Sequence, residues 1–178
     1  MNLKKVVILN TIIIFVMCFI VHFVYDIIPS SLTAIFFPVN ESIWEHMKLL
    51  YTSVLLGGII EYIILEKKKI KYNNFFISLF LSATLIIPIY LLMFLPIYYK
   101  MGENMFITIT IMLIAIIFSQ IISYYILKYK RCDLFNKIAI VLIIVGYVIF
   151  GYLTYNPIKC ELFFDTEEEK YGINNYNV

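Results

Sequence analysis

The sequence predicts an all-α, polytopic membrane bundle of about five spans, and three observations carry that expectation. The chain of 178 residues is 62% hydrophobic and only 15% charged, with a mean hydropathy of +0.91, whereas an ordinary soluble domain is roughly 45–50% apolar and about 25% charged. The apolar residues fall in runs long enough to cross roughly 30 Å of hydrocarbon as helices. Lys and Arg alternate sharply from one inter-span segment to the next.

The runs place spans at about 6–28, 41–65, 75–99, 105–127 and 137–155, forming one transmembrane domain over 1–155, with a short tail over 156–178. The first run follows Lys4 and Lys5 but exceeds the usual 7–15 apolar residues of a signal peptide, so it is kept in the mature protein. Gly57 and Gly58 in the second span permit close helix contact. The third contains Pro88 and Pro96, each lacking a backbone donor and expected to kink its helix. In the fourth, Ser119, Gln120 and Ser123 read as interhelical hydrogen-bonding groups. Tyrosines at the span ends, among them Tyr25, Tyr51, Tyr72, Tyr98, Tyr99, Tyr129, Tyr152 and Tyr155, suit an interfacial aromatic belt.

Orientation follows from the basic residues. Lys4, Lys5, Lys67, Lys68, Lys69, Lys71, Lys128, Lys130, Arg131 and Lys137 lie on one side, and Lys48, Lys100, Lys159 and Lys170 on the other. Cytoplasmic loops hold the excess, which places the N terminus in the cytoplasm and the C terminus outside. Cys18, Cys132 and Cys160 then fall at three different depths, and no disulfide is expected. No basic stripe with interleaved aromatics points to nucleic acid. The expected surroundings are a lipid bilayer and, for any enzyme, a lipid or cell-envelope substrate. No internal repeat favours an inverted-repeat transporter.

The polar groups gather near one end. His22 and Asp26 are four residues apart at the outer end of the first span, with Cys18 one turn deeper. The segment 37–48 then opens the second span with Asn40, Glu41, Ser42, Trp44, Glu45, His46 and Lys48. Asn40 suits an N-cap, Glu41 the positive helix start, and Ser42 with Glu45 a capping box; capping explains neither His46 nor Trp44. If the first two helices pack antiparallel, His22, Asp26, Glu45 and His46 meet at the outer mouth. Their donor types suit zinc or another first-row divalent ion. Hydrolysis at such an ion would use Glu41 or Glu45 as general base, with Ser42 or Lys48 steadying developing charge. The plainer reading makes the same residues caps and packing groups.

Two further features are less local. Glu61 lies within the second span, one to two turns from the lysine cluster, so that snorkelling or a partner such as Asn10 of the first span accounts for it. The tail carries Leu162, Phe163 and Phe164, which favour folding back, beside acidic residues that favour disorder; folded back, Asp165 would offer another ligand.

The strings His22-x-x-Tyr25-Asp26, Pro38-Val39-Asn40-Glu41-Ser42-Ile43-Trp44-Glu45-His46-x-Lys48, Asn156-Pro157, Phe164-Asp165 and Tyr171-Gly172-Ile173 resemble a family of small multi-pass membrane proteins from clostridia and related bacteria, classed only as a domain of unknown function. The resemblance spans nearly the whole chain and implies membrane location and bacterial origin, without an activity. A looser likeness in residue type, through Ser31 or Ser42, Asp26, His22 and His46, is to the zinc-dependent membrane hydrolases that include alkaline ceramidases and the adiponectin-receptor group. Those enzymes carry a late His-x-x-x-His pair, and here no histidine follows His46.

The sequence thus supports a metal-dependent hydrolase at the outer membrane face. The alternative is a non-enzymatic protein that binds, senses or transports a small cationic solute through Asp26, Glu41 and Glu45. A third reading is an assembly partner of another membrane protein.

Overall fold

The computed structural model describes residues 1–102 and 104–173; residue 103 and the end of the expected tail, 174–178, lie outside the described residues. Helices α1 (Leu3–His22), α2 (Val24–Ile27), α3 (Ser31–Phe36), α4 (Ile43–Lys67), α5 (Phe75–Met101), α6 (Met105–Lys128) and α7 (Asp133–Tyr155) precede a 3-10 turn at Glu161–Phe163 and a small hairpin of β1 (Phe164–Asp165) and β2 (Lys170–Tyr171). Five helical segments are long and apolar enough to cross a membrane: Leu3–Ile27, which joins α1 and α2, and helices α4, α5, α6 and α7. The protein is therefore an all-α, multi-pass membrane bundle.

Helices α1, α4, α5 and α6 close a ring in which each packs on the next, and α7 lies against α5 and α3. Helix α4 is the hub. Its most apolar stretch is 61% buried, against 33% or less for the other four spans. It is also the least apolar of the five, so the span with the most polar groups is the one withheld from lipid, where unpaired polar groups are costly. Gly57 makes this possible on the α1 side: a Cβ there would sit 2.5 Å from Ile14. Outward-facing Val141, Ile144 and Val148 of α7 are exposed, as lipid contact requires.

Local chemistry sets the boundaries. Asn2 caps α1 by accepting from Lys5 N at 3.0 Å, and Asn104 caps α6 by accepting from Ile107 N at 3.2 Å. Helix α5 lacks a cap of its own; the Asn136 side chain from α7 accepts from Phe76 N and Ile77 N instead. Asn74 returns the favour by donating to Lys130 O and accepting from Cys132 N, which binds the two turns at the lysine-rich end together. Helix α5 runs without interruption through Pro88 and Pro96.

Two features differ from the sequence expectation. The first span leaves helical geometry at Phe23 (φ −98°, ψ 0°) and resumes as α2. The following loop contains α3, started by a reciprocal cap in which Ser30 Oγ accepts from Thr33 N and Thr33 Oγ1 from Ser30 N. Threonine stands where the usual capping box has Glu or Gln, so the signal is easily missed.

Candidate functional site

The site lies at the end of the bundle formed by α2, α3, the start of α4 and the tail. Ser42, not Asn40, is the N-cap of α4, accepting from Glu45 N at 3.3 Å. Asn40 acts one step earlier: its Oδ1 accepts from Ser42 N at 3.0 Å and its Nδ2 donates to Gly172 O at 3.0 Å. The capping box is only half made, because the Glu45 carboxylate turns inward.

There Glu45 meets Lys48. Both are essentially unexposed, and Lys48 Nζ lies 2.5 Å from Glu45 Oε2. Lys48 also donates to Ala34 O at 2.7 Å and Thr154 Oγ1 at 2.8 Å, and Thr154 donates to Glu45 Oε1 at 2.8 Å. Val39 N completes the carboxylate's shell at 3.2 Å. The ammonium's three donors and both carboxylate oxygens are thus engaged, which is the condition under which a buried ion pair is tolerable. This network ties α3, α4 and α7 together and withdraws Glu45 and Lys48 from the mouth.

With Glu45 turned inward, Glu41 takes its place at the mouth. His22 Nε2 and His46 Nε2 lie 3.5 and 3.6 Å from the same oxygen of Glu41, Oε2. One ligand atom from each of His22, Glu41 and His46 can be chosen so that all lie within 4.8 Å of one another. The two imidazole rings are 5.6 Å apart and nearly perpendicular, at 89°. All three side chains are partly exposed, at 30%, 40% and 24% respectively, so an ion can reach them. The hydrogen bond from His22 holds the Glu41 carboxyl below its ordinary range; desolvation opposes this and the charge of His46 reinforces it.

Second contacts orient these groups. His46 Nδ1 lies 3.0 Å from Ser42 O; with the proton assigned to Nδ1 for that bond, Nε2 presents its lone pair to the site, the arrangement usual for ligating histidines. His22 is stacked on Phe23 at 4.8 Å. The Glu41 backbone is held by the tail, since Glu41 N donates to Asp165 Oδ2 at 3.1 Å. Asp165 is fully buried, and its Oδ1 accepts from Glu167 N and Glu168 N. The tail folds back, with Phe163 stacked on Trp44 at 4.6 Å. Asp165 thus clamps a loop in place of donating to the site.

The other sequence candidates stand apart. Asp26 is exposed on α2, beyond the break at Phe23, and is outside the three-residue group. Ser42 is 2% exposed and its hydroxyl is engaged in capping. Cys18 is buried in the core.

A narrow cleft of about 30 Å³ adjoins the group. Glu41 and His46 line it together with Tyr90, Phe94 and Tyr98 of α5 and Glu161, Phe164 and Thr166 of the tail. Tyr90, Phe94 and Tyr98 recur every four residues and stack successively at 5.1 and 5.3 Å. Glu161 accepts from Tyr99 OH at 3.0 Å. Sequence reasoning did not single out Glu161 or Thr154. Neither has a local motif, and each acquires its role only through packing.

A model of the family described as "Family of unknown function (DUF6512)" matches residues 1–173. No curated protein and no solved structure matches the chain.

Proposed function

We propose that this chain, which belongs to that family of unknown function, is a membrane metalloprotein whose His22, Glu41 and His46 hold one divalent ion, zinc before others, at the extracytoplasmic face. The observation that carries the reading is the convergence of two imidazoles and one carboxylate, from three separated sequence positions, within 4.8 Å. Two histidines and a glutamate form a donor set used by catalytic zinc sites that keep an open position. Bound there, the ion would supply Lewis-acid polarisation and acidify a water toward neutrality.

The reaction class we assign is hydrolysis of an ester, amide or phosphate in a lipid or cell-envelope substrate. Glu41 serves as ligand in this reading. Glu161, across the cleft, takes the general-base role first considered for Glu41 and Glu45. A cleft of about 30 Å³ holds roughly one or two waters, so a scissile group must approach from the open side, along the Tyr90-Phe94-Tyr98 face. The competing cationic-solute reading loses one of its three carboxylates, because Glu45 already neutralises Lys48. Orientation follows the ten basic residues grouped at the opposite end.

The test is hydrolysis by purified, zinc-loaded protein of a panel of chromogenic esters, amides and phosphates in detergent micelles. Turnover abolished by both a chelator and Glu41→Gln supports the reading. Zinc binding without turnover, together with zinc-independent uptake of a cationic solute into proteoliposomes, reverses the ranking.

A further inference from the structure

A second polar cluster lies within the bundle, remote in sequence and composition from the histidine site. Asn10 of α1, Glu61 of α4 and Gln120 of α6 are 2, 4 and 3% exposed. Asn10 Nδ2 donates to Glu61 Oε2 at 3.1 Å and to Gln120 Oε1 at 3.2 Å. Both amide protons of Asn10 are therefore used. Two acceptors in the cluster remain without partners, Asn10 Oδ1 and Glu61 Oε1. Among the described residues, none of the ion pairs includes Glu61.

An ionised carboxylate here would be a buried charge with one oxygen bare, and such a charge is normally neutralised, paired or metal-bound. One added proton resolves the whole arrangement. On Glu61 Oε1 it converts a bare acceptor into a donor and leaves Asn10 Oδ1, the cluster's other unpartnered acceptor, available to take it.

A metal cation fits poorly. Calcium and magnesium take six or more oxygen ligands, and only two oxygens here are uncommitted. The contact is also tight: a Cβ on Gly57 would meet Ile14 at 2.5 Å and Asn10 Oδ1 at 3.0 Å. Among the described residues, the side chains hydrogen-bonded to Glu61 and onward in this cluster are neutral amides. Asn10 comes from α1 with Gln120 of α6 behind it, and α5 presents Leu79 against the adjacent Gly58.

We propose that Glu61 holds a proton in the folded protein at neutral pH, forming with Asn10 and Gln120 an intramembrane proton-binding site that fastens α1 to α4 and α6. Loss of that proton sets a bare carboxylate against the Asn10 carbonyl oxygen and loosens α1. The site is thus a point at which pH acts on the bundle independently of the histidine cluster.

The test is treatment of the full-length protein in membranes with dicyclohexylcarbodiimide, whose nitrogen takes the carboxylic proton as its carbon bonds to the carboxylate oxygen, followed by peptide mass mapping. The proposal expects modification at Glu61 at pH 7, loss of that adduct in Glu61→Gln, and declining modification as pH rises. It also expects a protonated-carboxyl C=O infrared band, measured on the wild type, that Glu61→Gln lacks. Should that variant fail to fold, the wild-type labelling and infrared spectrum still decide. An infrared spectrum showing Glu61 as carboxylate at pH 7 overturns the proposal, as does protection by sodium or calcium at constant pH, which would make the occupant a metal cation.

Discussion

The buried Lys48 ammonium lies 2.5 Å from the Glu45 carboxylate, one turn along helix α4, whose first turns also carry His46 and whose N-cap Ser42 follows Glu41. That pairing divides a dense polar motif into a structural half and a half left free for chemistry. Glu45 and Lys48 join α3, α4 and α7, while Glu41 and His46 face His22.

Breaking the pair is therefore expected to damage the fold and not the chemistry directly. Lys48→Met leaves Glu45 as an uncompensated buried charge, a loss of about 3–5 kcal/mol, read as a fall in thermal unfolding temperature in detergent. The double change Glu45→Leu with Lys48→Met removes both charges and should recover most of that loss. Equal damage from the single and double changes would contradict this account of the pair.

Asp165 is predicted to act on the histidine site from a distance. Asp165→Ala removes the acceptor for Glu41 N and for two tail amides. Metal affinity should weaken by roughly 10–100-fold, the usual effect of losing an outer-shell partner, and limited proteolysis should reach the tail sooner. Unchanged affinity with a loosened tail would show that the clamp does not position Glu41.

Metal retention should fall with acidity, because the imidazoles must be neutral to ligate. Glu41 is held below its ordinary carboxylate range, so it stays ionised at mildly acidic pH and the release belongs to His22 and His46. Equilibrium dialysis between pH 4 and 8 should show binding full at the upper end and lost as pH falls, while Glu41 is still ionised. Release only below about pH 4.5 would assign the controlling group to a carboxylate.

The three free cysteines report topology without added probes. Cys160 is exposed in the tail, Cys132 is partly exposed at the lysine-rich end, and Cys18 is buried. With the N terminus inside, a membrane-impermeant maleimide should label Cys160 in intact cells and Cys132 only after permeabilisation. The reverse pattern would invert the orientation.

Much of the architecture was legible because crossing a bilayer requires long apolar runs, and hydropathy alone reveals them. The meeting of His22 and His46 was legible too, as it follows from antiparallel packing of consecutive spans. The choice between Glu41 and Glu45 was not. It depends on Thr154, 106 residues from Lys48, and on the carbonyl of Ala34 in a short helix capped by Ser30 with Thr33. Asp26 falls outside the three-residue group for a related reason: its four-residue spacing from His22 assumed a continuous helix, and the chain leaves helical geometry at Phe23. Asp165 looked like a ligand because it is acidic, yet three backbone amides occupy it.

The central claim is that His22, Glu41 and His46 hold an ion, and metal content measures it most directly. Protein purified in mild detergent without chelator, loaded with zinc and dialysed, should carry one equivalent by elemental analysis, and the His22→Ala, His46→Ala double variant should carry none while remaining folded. Absence of stoichiometric metal from the wild type, or equal metal in both proteins, would contradict the account.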